Sequence, residues 1–85
     1  MDATIGEIRL FAGDYAPEGW LFCNGQVLEI GMYYALYGII GANYGGDDEN
    51  TFALPSMTPL KEADGGATPI QYIIATQGYY PSRPD

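Results

Sequence analysis

The stretch PEGWLFCNGQ, Pro17–Gln26, holds the only cysteine and the only tryptophan of the chain, with two glycines and a proline. Cys23 is the side chain with the most obvious nucleophilic chemistry. A thiol attacks as its thiolate, which a nearby cation or base must favour. No basic residue is near it in sequence, and the chain has no histidine. Neither a Cys–His nor a Ser–His nucleophile pair can form. Between Phe22 and a tight turn, Cys23 reads as a small buried hydrophobe. The cluster Asp47-Asp48-Glu49-Asn50 could supply paired carboxylates for acid–base work or oxygen ligands for calcium. It lacks the EF-hand spacing and stands in a glycine loop without flanking apolar residues to raise a pKa. A solvated turn is the reading, with a weak cation or ligand loop as the alternative. One cysteine and no histidine leave no Cys/His zinc set. Gly45-Gly46 ahead of three acids would repel phosphate. The tyrosines Tyr33, Tyr34, Tyr37, Tyr44, Tyr79 and Tyr80 suit either a sugar- or peptide-binding surface or contact between protein chains. Interface packing is the simpler explanation of the doublets Tyr33-Tyr34 and Tyr79-Tyr80. The pattern points to no enzyme and to no cofactor.

The elements that carry these residues must fit into 85 residues, which make one domain spanning 1–85. A chain this short has a thin core and needs a staple or a partner. A lone cysteine excludes an internal disulfide, so oligomerisation is the help expected. Eleven acids against three bases give a net charge of −8. That argues against nucleic acid and anionic membranes as partners, and for solubility. No apolar run approaches the ~20 residues that span a bilayer. MDATIGEIRL lacks a basic region followed by an apolar core, so synthesis in the cytoplasm without a Sec signal is expected.

Ile5–Gly13 predicts a half-buried strand, with Ile8 and Leu10 inward and Glu7 and Arg9 paired outside. Trp20–Cys23 predicts a second strand. Asn24-Gly25 is the strongest hairpin signal, and Gln26–Ile30 would return antiparallel to it. From Gly31 the period changes to that of a helix over about residues 31–40, ended by Gly41. Met32, Leu36, Ile39 and Ile40 make one face; Tyr33 and Tyr37 make another, with Tyr34 between them. A helix apolar all round is buried all round, and one thin core covers one face only. Thr51–Pro55 predicts a short extended segment, Ser56–Pro69 a loop, and Ile70–Gly78 the last strand. The fold class expected is α+β: a small β-rich domain of short antiparallel strands with one short helix.

Three segments in order, IGEIRLFAGDYAPEGWLFCNGQVL, ALYGIIGANYGGDDENTFALP and IQYIIATQGYYPSR, resemble the phage tail collar domain family. Its members carry an IGEIR start, a P-x-G-W-x-x-C-D/N-G-Q turn, an AL-F/Y helix, a YGGDG…TFALPDL loop and a closing IA-x-Q-G-x-F/Y-P-S-R. These fall here at Ile5–Arg9, Pro17–Gln26, Ala35–Tyr37, Tyr44–Pro55 and Gln71–Arg83. The resemblance implies a structural or adhesive part of a phage tail or tail-derived extracellular particle, often trimeric, in contact with other tail proteins. It implies Trp20 and Cys23 as core anchors, and Pro17, Gly19 and Gly25 as turn formers. Asn24 then occupies a position that tolerates left-handed backbone. The chain departs from the pattern twice. Few residues separate ALP from the last strand, where longer members carry a variable insertion, which favours a scaffold role over an adhesin. Gly31-Met32-Tyr33-Tyr34 replaces a commonly polar run, which suggests that Met32, Tyr33, Tyr34 and Tyr37, with Tyr79 and Tyr80, meet another subunit. The expected function is structural; the alternative is a module that binds a host-surface glycan or receptor.

Overall fold

The computed structural model describes residues 3–59 and 70–82. In chain order the elements are β1 (Ile8–Phe11), β2 (Trp20–Phe22), β3 (Val27–Glu29), α1 (Tyr34–Ile40), β4 (Thr51–Ala53) and β5 (Gln71–Ala75). The expected small α+β domain of short antiparallel strands with one helix is what forms. One sheet runs β1-β5-β2, and β3-β4 form a second, two-stranded one. All the strand pairs are antiparallel.

β5, the last strand among the described residues, is thus the centre of the larger sheet. β5 reads IIA over Ile73–Ala75, and all three residues are buried. Its register sets Ile8 and Leu21 on either side of Ile74, and Arg9 and Phe22 on either side of Ile73. A continuous apolar run is what a strand covered on both faces requires.

β1 shows the expected period but not the expected burial. Ile8 and Leu10 share a face with Ile74 and Tyr72, yet they stay 38% and 49% exposed. β1 is an edge strand, and the core does not extend far enough to cover it. Glu7 and Arg9 pair outside as their spacing predicts, with Arg9 Nε donating to Glu7 Oε2 at 2.6 Å.

The expected β2–β3 hairpin does not form. A two-residue type I′ hairpin turn requires positive φ at both central residues. Gly25 has φ 80°, but among the described residues Asp48 is the only non-glycine with positive φ, so Asn24 is not left-handed. Asn24 Oδ1 accepts instead from the Gln26 amide at 3.1 Å, an Asx turn that deflects the chain out of the sheet. The edge where β3 would have returned is occupied. Cys23 donates its N–H to Tyr72 on one side at 2.9 Å, and its carbonyl accepts from Met57 N–H on the other at 2.9 Å. β3 pairs with β4, and Leu54 N–H extends that ladder to the Gln26 carbonyl.

The helix lies within its expected span. Gly41, at φ 60°, ends it, donating its N–H to the Tyr37 carbonyl at 2.7 Å. Burial all round does not follow. Leu36 is fully buried and Tyr33, Tyr37 and Ile40 pack beside the core, whereas Met32 and Tyr34 are 70% and 73% exposed. Only one side of α1 has a core to face.

Three elements meet in that core. Leu36 comes from α1, Phe52 and Leu54 from β4 and its extension, and Ile74 from β5; each is essentially inaccessible to water. Ile5, Cys23 and Leu28 complete the cluster. Burying each such aliphatic or aromatic side chain contributes about 1.5–3 kcal/mol. Residues near Thr4 and Tyr79, far apart in sequence, are clasped beside it. Thr4 and Tyr79 form a parallel bridge, in which Ile5 N–H donates to Tyr79 O and Tyr79 N–H to Ala3 O, both at 2.8 Å. The expected loop Ser56–Pro69 is described only as far as Pro59; the rest, and Arg83 of the closing motif, lie outside the described residues.

Candidate functional site

The Pro17–Gln26 stretch is a structural joint. Pro17 O accepts the Trp20 N–H at 3.0 Å, and Gly19 takes φ 85°. The Gly19 carbonyl accepts both the backbone N–H and the hydroxyl of Thr76, at 2.8 and 3.0 Å, which ties the turn to the end of β5. Trp20 is half-buried outside the core cluster, on the outer face of the sheet, where the Arg9 guanidinium lies 5.3 Å from its ring centroid. Such a stack contributes about 0.5–1 kcal/mol at an exposed site. Cys23 is buried, and burial pushes its thiol pKa up. A thiol held protonated is a packing group, not a nucleophile.

The acidic loop is organised around one carboxylate. Asp47 Oδ1 accepts the backbone N–H groups of Glu49, Asn50 and Thr51 at 2.9, 2.8 and 3.0 Å. The Asp47 N–H donates in turn to Thr51 Oγ1 at 3.0 Å. The bonds from Asn50, Glu49 and Thr51 hold its pKa at about 2, because each of them favours the charged acceptor. Asp48 takes φ 62° and accepts the Tyr37 hydroxyl, a bond that raises the tyrosine's pKa. The loop is thereby latched to α1, whose Tyr37 ring also meets Phe52 edge-on at 5.5 Å. Among the described residues no three acidic, cysteine or histidine side chains converge on one point.

A depressed carboxylate pKa makes a directional prediction. The stability contributed by Asp47 is present above the unfolded-state pKa of about 3.9 and is lost as pH falls through about 2. Asp47→Ala should melt at a lower temperature than the native chain at pH 7. The gap should close between about pH 4 and pH 2, which thermal melts across that range will test.

The aromatic residues separate into two groups. Tyr33 and Tyr37 face the chain's own core. Tyr34, Tyr44, Tyr79 and Tyr80 are more than half exposed, as is Met32. Tyr80 lies over the outer side of the helix: a Cβ on Gly38 would come within 2.8 Å of its hydroxyl. Tyr34 is one turn away on that side, so α1 and the C-terminal segment present a shared aromatic surface.

Sequence reasoning did not find a cleft of about 290 Å³ at the end of the larger sheet. Asn24, Ser56, Met57, Thr58, Gln71 and Tyr72 line it above Cys23. Segments far apart in sequence are brought together there by the two-sided pairing of Cys23, and no local motif signals that pairing.

A search of curated proteins and a search of solved structures each gave no significant match. The sequence model of the phage tail collar domain matches residues 6–60. The match covers β1 to β4 with the turn, the helix and the glycine loop between them, and more than half of the sequence. The chain belongs to the phage tail collar domain family.

Proposed function

We propose that this collar domain is a structural component of a phage tail or tail-derived particle, acting through self-association, as a trimer or repeated copies, and through contacts with other tail proteins. The family supports a structural place in the virion tail. The observation that carries the finer reading is the exposed apolar surface on α1 and beyond it. Met32, Tyr34, Tyr79 and Tyr80 each expose more than half of their area, and tyrosine and methionine are enriched where protein chains meet. A thin core that covers one side of the helix leaves the other for a neighbour. Tyr33 and Tyr37, turned to their own core, belong to the support of that surface.

Light scattering after size exclusion, over a wide concentration range, tests this. The native chain should run as an oligomer. Tyr34→Gln combined with Tyr80→Gln should weaken assembly at least about tenfold, the effect of losing one or two aromatic anchors. Their exposure predicts an unchanged melting temperature for the monomer. A native chain that stays monomeric, or a double variant that assembles undiminished, overturns the reading.

A further inference from the structure

We propose that the cleft at the end of the larger sheet is a binding site for a neutral saccharide ring. This is independent of whether the chain self-associates. The backbone builds the site. Cys23 is hydrogen-bonded to Tyr72 on one side and to Met57 on the other. One residue further, Asn24 is bridged to Ser56. The β2–β5 ladder ends at Phe22 opposite Ile73; the Cys23 N–H still bonds Tyr72, and the Asn24 N–H turns back to the Phe22 carbonyl at 3.0 Å. Gln71, Asn24 and Ser56, from three separate segments, all line the cleft. Thr58 extends the rim beyond Ser56.

The chemistry of that lining is specific. Two carboxamides and two hydroxyls offer donors and acceptors side by side. Among the described residues the side chains of Gln71, Ser56, Thr58 and Tyr72 make no hydrogen bond, and Asn24 uses only Oδ1. Vicinal hydroxyls of a sugar, each both donor and acceptor, match such a set. Met57, Tyr72 and Pro59 supply the apolar wall against which the C–H face of a ring packs. No charged side chain is among the described lining residues, and the chain's net charge of −8 repels anions. Among the described residues, phosphates and metal cations therefore find no counter-charge there. An extended peptide would need an open strand edge, whereas this cleft is compact. Its volume of about 290 Å³ lies at the lower end of the ~300–1,000 Å³ typical of ligand pockets, which suits one ring.

The test is a titration of the full chain, isotope-labelled, with methyl glycosides of glucose, galactose, mannose and N-acetylglucosamine, followed by amide NMR shifts. At least one glycoside should give saturable shifts at Cys23, Asn24, Ser56, Thr58 and Tyr72, with a dissociation constant of ~1–10 mM, the scale of a few bonds at a shallow site. Gln71→Leu should weaken that binding at least about fivefold while shifts far from the cleft stay in place. Thr58→Val, on the rim, serves the same purpose if the β5 variant fails to fold. Tyr34→Gln should change nothing. No saturable shift at these amides, shifts confined to the tyrosine surface, binding undiminished in both cleft variants, or equal binding of sialic acid would each overturn the proposal. None of these outcomes bears on the assembly state read by light scattering.

Discussion

Gly46→Ala should destabilise the chain by about 3–5 kcal/mol, the upper range for a single substitution. Gly46 has φ 91° in the loop that folds flat against β4. A Cβ there would stand 2.6 Å from the Thr51 carbonyl oxygen and 2.7 Å from the Phe52 nitrogen. Both obstacles are backbone of the strand that carries the largest core residue, so no rotamer change relieves them. A domain of 85 residues has ~4–13 kcal/mol of stability in all, and the loss would leave many molecules unfolded near body temperature. Gly31→Ala is the matched control. Its Cβ meets nothing within 4 Å and its φ is not positive, so its effect should stay within about 0.5 kcal/mol. Urea unfolding of both variants measures the difference. Equal midpoints would mean that the loop does not lie on β4 as described.

Phe52→Ala should cost about 3–5 kcal/mol by cavity formation. Phe52 is fully buried between α1 and β5, beside Leu36, Leu54 and Ile74. Its ring also receives the edge of Tyr37, so the variant should loosen the Tyr37–Asp48 latch as well. Ile8→Ala, on the exposed edge strand, should cost less than about 1 kcal/mol. If the two variants unfold at the same denaturant concentration, the core is not where Phe52 places it. A change in the NMR ring-proton shifts assigned to Tyr37 in Phe52→Ala would report the latch.

Much of this architecture is legible in the residues. The helix shows in its change of period and its glycine stop, and the β5 strand in its β-branched run. The short extended segment at Thr51–Pro55 ends at its proline. Each of those signals is local. The strand partners are not legible, because pairing is decided by what lies on the far side of each strand. Asn24-Gly25 is a sound hairpin signal locally. It is overridden because Met57 takes the edge of Cys23, which no window around Asn24 contains. Ile8 and Leu10 alternate correctly, but alternation cannot tell an edge strand from a covered one.

The acidic loop and the cleft divide along the same line. Four adjacent oxygen-bearing side chains look like potential ligands in sequence. In the fold the Asp47 carboxylate is spent on three N–H groups of its own loop. The neutral lining of Gln71, Asn24 and Ser56 is invisible in sequence, because its members come from three segments that meet only through the pairing around Cys23.

The central place of β5 has a consequence for how the chain is made. β1 and β2 leave the ribosome early and have no partner in each other. Both wait for Gln71–Ala75, translated well after them, before a single rung of the larger sheet can close. Contacts of such long sequence separation slow folding. A nascent chain meanwhile displays two unsatisfied strand edges to every neighbour on the same message. Its copies are thus close together while still able to pair wrongly, so the arrival of β5 is the event that closes this sheet.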